Sequence, residues 1–302
     1  MLTRPAPILN FPICGAYLKL YNRIVLDTKY ILIGGSGTIG SALMNGLGQV
    51  DKIIPPSRVR EWGHKGLNEE VIRREIAADP LMRNVVIYTL GNTNPKTEFS
   101  ELNWVNFELP RYILNILEDF ESLFVTFGSV LEPLAIYGEN RYLSSKEKYL
   151  NFVASKEKSS YLHFQLNTIY GGLVNHSHML IGQLQAAIEN KTDLHLSTGN
   201  QIRQYHHIDD LNILLVKQIQ SGEMCGIQQL NHGDSITIRD MAEGVMDKFG
   251  LQHLLRFGSR PDPKEDNYSV KLEKTVLDEE LDFRDTISGI YDYLNQRVRR
   301  QF

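Results

Sequence analysis

From Lys29 onward, short apolar runs recur along the chain with helical patterns between them. Runs of strand length fall at Tyr30–Ile33, Lys52–Ile54, Val85–Thr89, Leu123–Phe127 and Leu162–Leu166. Most are nearly continuous in apolar residues rather than alternating, which marks strands buried on both faces. Ile39, Leu43, Met44 and Leu47 recur at helical spacing after the first run, and Ile113, Leu114 and Leu117 do so before the fourth. Buried strands alternating with helices predict βαβ units, and so an α/β fold with a Rossmann-type, doubly wound parallel sheet. Beyond Tyr170 the alternation loosens. Helices are expected at Met179–Ile188, Leu211–Ile219 and Thr286–Arg297, the last from the stripe Ile287, Ile290, Tyr291 and Leu294. No repeat, low-complexity tract or tether separates the halves, so the lobes are expected to be interwoven. Residues 1–28 read as an N-terminal extension, because three prolines break the apolar stretch PAPILNFPICGAYL and no clean signal-peptide core remains.

Composition narrows the class without naming a chemistry. The 302 residues are 42% hydrophobic and 23% charged, ordinary usage that excludes a disordered or fibrous chain. No apolar stretch approaches the ~18 residues of a membrane span. A formal charge of -4 gives no footprint for nucleic acid or an anionic membrane, so neither is expected as a partner. Two cysteines, Cys14 and Cys225, are too few for a disulfide framework or a zinc site, and no metal is expected. A soluble, cytoplasmic enzyme or binding domain is the expectation.

The first chemical signal is the strand KYILI running straight into GGSGTIG, Gly34 to Gly40, with a helix pattern following at once. In this strand–loop–helix setting Gly35 and Gly37 would allow a tight turn and close approach of a pyrophosphate. Gly40 would let the helix pack on the strand. The loop residues Gly34, Gly35, Ser36, Gly37, Thr38, Ile39 and Gly40 are thus candidate dinucleotide contacts, with the helix N-terminus facing the phosphates. Leu90 and Gly91, after the third predicted strand, would line the cofactor's far side. An acid at the end of the second strand would accept from NAD ribose hydroxyls, but the chain reads IIPPSRVRE there. Ser57, Arg58 and Arg60 suit a 2′-phosphate instead, so NADP(H) is favoured and NAD(H) stays possible, with Glu61 as its ribose acceptor. The plainer alternative is that Arg58 and Arg60 are solvated loop charges.

Tyr142 and Lys146 form a Y-x-x-x-K string, four residues apart and so on one face of a helix. An adjacent ammonium would favour the phenolate and bring its pKa from ~10 toward neutrality. Among fourteen tyrosines such a string arises by chance roughly 0.7 times, so placement carries the argument. Ser129 ends the apolar run LFVTFGS, where ligands bind in doubly wound sheets, and could hold a carbonyl oxygen while the phenol moves the proton. As an alternative, a strand-end serine is often only a turn residue. Asn106 could tether backbone behind the site or serve merely as a cap or surface residue.

With these residues in place the chain resembles the extended short-chain dehydrogenase/reductase superfamily, specifically the NAD-dependent epimerase/dehydratase family of nucleotide-sugar enzymes. The matching segments stand in family order: GGSGTIG, Ser129, YLSSK at 142–146, TIYGG at 168–172, QIRQYHHIDDL at 201–211, QQLNHG at 228–233 and SRPD at 259–262. The resemblance implies a Rossmann domain over 29–168 and a smaller substrate lobe over 169–302, with about 207–231 returning to the first. It implies Ser129, Tyr142 and Lys146 as the catalytic trio, Lys146 also binding the nicotinamide ribose, and Arg203 and Arg260 clamping the diphosphate of a nucleotide-sugar substrate. Two guanidinium forks on a pyrophosphate are also sound chemistry, against the alternative of ordinary surface salt bridges. Asp210 is expected to cap the helix after it. A homodimer through helices near Asn106–Leu117 and Tyr142–Val153, and a role in polysaccharide biosynthesis, are further implications.

Departures from the family pattern narrow the reaction. Val130 and Leu131 follow Ser129 where the resembled dehydratases carry an Asp-Glu pair, which argues against a 4,6-dehydratase. Gln204 replaces the usual acid after the arginine, and Gln165 stands where an arginine is common. The short Ser129–Tyr142 gap and NFELP at 106–110 are similar to the keto-sugar reductase branch, typified by CDP-abequose synthase. Reduction of a keto-sugar with Tyr142 as proton donor is therefore expected. A 4-epimerase with tightly held NAD and a non-catalytic dinucleotide sensor are the alternatives.

Overall fold

The computed structural model describes residues 28–63, 69–76, 82–94, 96–120, 122–135, 138–172, 177–275 and 282–299. The N-terminal extension lies outside the described residues apart from Thr28, which already begins the first strand. In chain order the first half runs β1 (Thr28–Ile33), α1 (Thr38–Gly46), β2 (Lys52–Ile54), α2 (Pro56–Gly63), α3 (Glu69–Glu75), β3 (Arg83–Tyr88), α4 (Phe99–Asn103), a π-helical turn (Trp104–Glu108), α5 (Leu109–Leu117), β4 (Ser122–Ser129), α6 (Arg141–Ala154) and β5 (Tyr161–Leu166). The second half runs β6 (Thr168–Tyr170), α7 (Leu180–Asn190), β7 (Leu194–His195), β8 (Ile202–Arg203), β9 (Tyr205–His207), α8 (Ile208–Ser221), β10 (Gly226–Gln229), β11 (Ile236–Thr237), α9 (Ile238–Lys248), β12 (Leu255–Arg256) and α10 (Thr286–Arg299). No helix among the described residues is long and apolar enough to cross a membrane.

Six strands form one parallel sheet in the order β10-β5-β4-β3-β1-β2. The five predicted strands are all present. The sixth, GIQQ, has only Ile227 as a large apolar residue, so hydrophobic pattern did not mark it. Successive strand residues feed opposite faces. Ile31, Ile33, Val86, Tyr88, Phe124 and Tyr161 pack with α2, α3, α5 and α6 on one side. Leu32, Val85, Ile87, Val125, Phe127, Leu162 and Phe164 pack with α1 and α8 on the other. Burial on both faces is the reason these strands read as unbroken apolar runs.

A third apolar cluster joins α7, α9 and α10 through Leu184, Met241, Val245, Met246, Ile290 and Leu294. Two-strand ladders connect this region, β6 with β9, β7 with β12 and β8 with β11. The chain leaves the large sheet after β5, visits this region, and returns through α8 and β10. Strand order reverses between β1 and β3, which opens the crevice where ligands bind in such sheets. The glycine loop and residues 89–92 stand at its mouth.

Candidate active site

The glycine loop owes its shape to three steric demands. Gly34 has φ +87°, a left-handed conformation that disfavours side chains, and its N–H donates to the Ile54 carbonyl at 2.9 Å. A Cβ on Gly40 would collide with the Gly34 carbonyl and lie 2.7 Å from Thr89 Oγ1, so helix and loop touch at backbone distance. A Cβ on Gly37 would meet nothing within 4 Å, so that position opens outward at the N-cap of α1. The left-handed turn residue is therefore Gly34, whereas the expectation had given that turn to Gly35 and Gly37. Gly40 has the packing role expected of it. Ser36 is exposed, and Thr38 and Ile39 are half-buried in the first turn of α1. Thr89, which the sequence did not single out, ties β3 to the loop by donating to the Ile33 carbonyl at 3.1 Å and to the Gly34 carbonyl.

Across the crevice Leu90 is half-buried and Gly91 exposed. Asn106 is buried inside the π-helical turn. Its Nδ2 donates to the Asn92 carbonyl at 3.1 Å and to Ser145 Oγ at 3.0 Å, while Ser145 Oγ donates to the Tyr142 carbonyl at 2.7 Å. The backbone-tether reading of Asn106 holds. The π-turn, an irregularity common at functional sites, is what aims it inward.

Asn140 caps α6, its Oδ1 accepting from the Tyr142 and Leu143 amides, and so places Tyr142 in the first turn. Lys146 is buried one turn on, and its Nζ donates to the Phe127 carbonyl at 2.7 Å, two residues before Ser129 on β4. Ser129 Oγ accepts from the Leu131 amide at 3.2 Å. The expected tuning of the phenol runs the other way. Burial, helped by the Glu132 carboxylate, pushes Tyr142 well above its ordinary value. Burial also pushes the Lys146 ammonium down, with Glu132 opposing, and that ammonium is committed to a backbone carbonyl. Tyr142 thus keeps its proton at neutral pH and is a weaker acid than an exposed phenol.

Beneath these residues lies a buried polar network that the sequence did not reveal. Glu132 Oε1 accepts from the Ser129 amide at 3.0 Å, and Oε2 from Gln165 Nε2 at 3.1 Å. Oε2 also stands 3.3 Å from His163 Nε2. Thr126 Oγ1 meets His163 Nδ1 at 2.8 Å, and Gln229 Nε2 donates to Gln165 Oε1 at 3.0 Å. Thr126, Glu132, His163 and Gln165 are buried. A signal existed: Thr126 and Gly128 on β4, and His163 and Gln165 on β5, are polar or small positions in otherwise apolar strands.

At the other cofactor position Arg58 lies on α2, where its guanidinium pairs with Glu75 at 2.9 Å and with Glu61. Ser57 and Arg60 are exposed on the same helix. Of the two second-half arginines, Arg203 is likewise engaged in an ion pair. Both arms of the Arg203 fork meet Asp266, at 2.6 and 2.7 Å. Arg260 is exposed, with Nη1 3.4 Å from Gln183 Oε1, so different partners hold the two arginines. Glu265 is buried and accepts from the Glu139 and Asn140 amides at 3.3 and 2.7 Å, docking the 260s loop on the start of α6 beside Tyr142. Asp210 does not cap its helix. His207 Nδ1 does, accepting from the Asp209 amide at 3.2 Å, while Asp210 accepts from the Arg284 amide at 3.2 Å. Gln204 is a structural junction: it donates to the Leu272 carbonyl at 2.7 Å and accepts from the His232 amide at 3.0 Å.

No protein-family model and no curated protein matches the sequence. Solved structures do match. A double mutant of dTDP-glucose 4,6-dehydratase from Streptomyces venezuelae, with NAD bound, is similar with a TM-score of 0.68 at 15% identity over 90% of this chain and 97% of that one. UDP-N-acetylglucosamine 4-epimerase from Methanobrevibacter ruminantium is similar at 0.67 and 15%, over 92% of this chain and 100% of its own. For dTDP-4-dehydrorhamnose reductase from Bacillus anthracis, in complex with NADP, the values are 0.65 and 14%, over 90% and 100%. The fold is theirs. Within this fold the open Gly37 position and the α1 N-terminus fit a dinucleotide pyrophosphate, since they leave backbone N–H groups accessible there.

Proposed function

We propose that this protein is an NAD(P)-dependent oxidoreductase that reduces a keto-sugar carried on a nucleotide. The observation that carries the reading is the placement of a half-buried Tyr142 in the first turn of the helix whose lysine, one turn on, grips the carboxyl end of β4. Residues 34–40, Leu90 and Gly91 would hold the dinucleotide, with Lys146 at its nicotinamide ribose. When bound, the reduced nicotinamide supplies the hydride. Ser129 Oγ would hold the sugar carbonyl oxygen, and Tyr142 would give that oxygen its proton. In the reductive direction Tyr142 would act as an acid, whereas an epimerase must first use it as a base. A dehydratase needs an additional acid and base at the substrate, whereas Glu132, the nearest candidate, is fully buried and occupied by three partners.

Arg203 and Arg260 would bind the diphosphate, Arg203 exchanging part of its pairing with Asp266 for the ligand. Ser57 and Arg58 favour NADP(H), although Arg58 already faces two carboxylates that a 2′-phosphate must share. A homodimer through α5 and α6 is part of the same reading. Cations of these helices lie over rings of the segment before them, Lys148 of α6 over Phe99 of α4 and Phe107 of the π-helical turn, and Arg111 of α5 over Phe107. Light scattering showing a monomer at micromolar concentration removes the dimer.

The test is incubation with NADPH and a panel of nucleotide-linked 4-keto-sugars. One cofactor oxidised per sugar reduced is expected. Interconversion of epimers without net cofactor change selects the epimerase, and tight dinucleotide binding with no turnover selects the sensor.

A further inference from the structure

Glu132 sits at zero exposure in a short 3₁₀ turn, Glu132–Leu134, just past the end of β4. A buried carboxylate is costly unless hydrogen bonds satisfy its oxygens and a positive charge faces it. The hydrogen bonds are complete, through Ser129 N–H, Gln165 and His163. Room for the group exists because residue 128 is glycine: a Cβ there would collide with Glu132 Oε1 and stand 2.5 Å from His163 Nε2. A positive charge is available on α6, the Lys146 ammonium, while His163 Nε2 at 3.3 Å is charged only when protonated. Lys146 Nζ holds the Phe127 carbonyl at 2.7 Å, while Glu132 holds the Ser129 amide at 3.0 Å. Ammonium and carboxylate thus grip backbone groups two residues apart on one strand end, both out of water. The titratable groups within reach of Glu132 are Tyr142, Lys146 and Tyr149 of α6 and His163 of β5.

We propose that Glu132 is a positioning residue of this site, serving as the buried counter-charge of Lys146 and as the clamp that fixes the backbone of Ser129. The proposal rests on the roles given above to Ser129, Tyr142 and Lys146, but its signature is measurable without substrate. A carboxylate that only organised the Ser129 turn would be indifferent to charge at position 146. A counter-charge is not. Removing either partner strands the other in the protein interior, and removing both relieves the loss.

Thermal melting of the full chain as wild type, Glu132→Gln, Lys146→Met and the double variant, between about pH 5 and 8, decides the matter. Each single variant is expected to melt lower, with the double falling short of their sum by roughly 2–4 °C or more. Strict additivity overturns the proposal. Lys146→Met alone gives a second reading should Glu132→Gln fail to fold. A carboxylate deprived of its cation has a raised folded-state pKa, so stability is present at low pH and lost as pH rises. The gap to wild type should therefore widen with pH, and a constant gap overturns the proposal. If no sugar is turned over but the melts couple, the functional reading fails and the pairing stands; if Tyr142→Phe abolishes turnover while the melts add, the reverse holds.

Discussion

The two sides of the candidate site are held by different physics. On the dinucleotide side, shape comes from backbone contact within a few residues: Gly34 turns left-handed, Gly40 packs against the Gly34 carbonyl, and Gly37 opens outward. On the side formed by the second half, side chains are held by ion pairs and hydrogen bonds between distant segments. Arg203 meets Asp266, 63 residues away, and Asp210 meets Arg284, 74 residues away. The first side is a local steric solution with little room for a side chain at Gly34 or Gly40. The second is a set of pairings that exists only once the chain has returned on itself, and that a charged ligand can compete for.

The largest effect should come from the residue between the two sides. Tyr142→Phe is expected to lower turnover about 10²–10⁴-fold and to leave dinucleotide affinity unchanged, measured by steady-state rates and calorimetry. Unchanged turnover would make the crevice a binding site only.

Gly40→Val and Gly37→Ala sharpen the steric half of the comparison. The first should cost roughly 1–3 kcal/mol in denaturant unfolding, because its side chain meets the Gly34 carbonyl and Thr89. The second should stay within about 0.5 kcal/mol and weaken dinucleotide binding, since its methyl projects where the ligand approaches. Equal unfolding curves for both would break the distinction.

The second half has its own signature in pH. Burial, with His232 beside it, pushes His206 down to about 3 from an ordinary value of 6.5. As pH falls through about 6.5 the unfolded chain gains a proton that the folded chain refuses. Stability is complete above that pH and is lost below it, by up to a few kcal/mol. Unfolding of His206→Phe should show a flatter profile between pH 4 and 6.5, a window lying between those two values; an identical slope would remove His206 as its source.

Smallest is the cofactor preference. Because Glu61 and Glu75 offset the Arg58 charge, NADPH should bind more tightly than NADH by no more than about tenfold, or about 1.4 kcal/mol. Glu61→Gln should widen the ratio in calorimetry, and equal affinities in both proteins would remove the 2′-phosphate reading.

The dinucleotide side was legible from sequence because its determinants are contiguous. Within the seven residues from 34 to 40 the sequence marked a tight turn and the close contact at Gly40, though not that Gly34 is its left-handed residue, and the preceding KYILI marked the strand. Tyr142 and Lys146 were legible as a pair by helical spacing, but the direction in which the phenol is shifted was not. That depends on burial in the folded chain and on Glu132, whose partners lie on two strands. Asp210 was misassigned as a cap because an acid near a helix start suits either role, and only the position of Arg284 separates them. Likewise β10 was invisible to periodicity, since its glutamines Gln228 and Gln229 are tied to backbone and side-chain partners rather than packed by apolar contact.

By itself the sequence determined the layer architecture, the parallel strands and the glycine turn, because hydrophobic period and steric demand act over a few neighbouring residues. Tertiary structure alone decided which charges meet: Arg58 with Glu61 and Glu75, Arg203 with Asp266, and Glu132 beneath Gly128. Ion pairing and burial depend on which distant segments fold against one another, and spacing along the chain does not encode that.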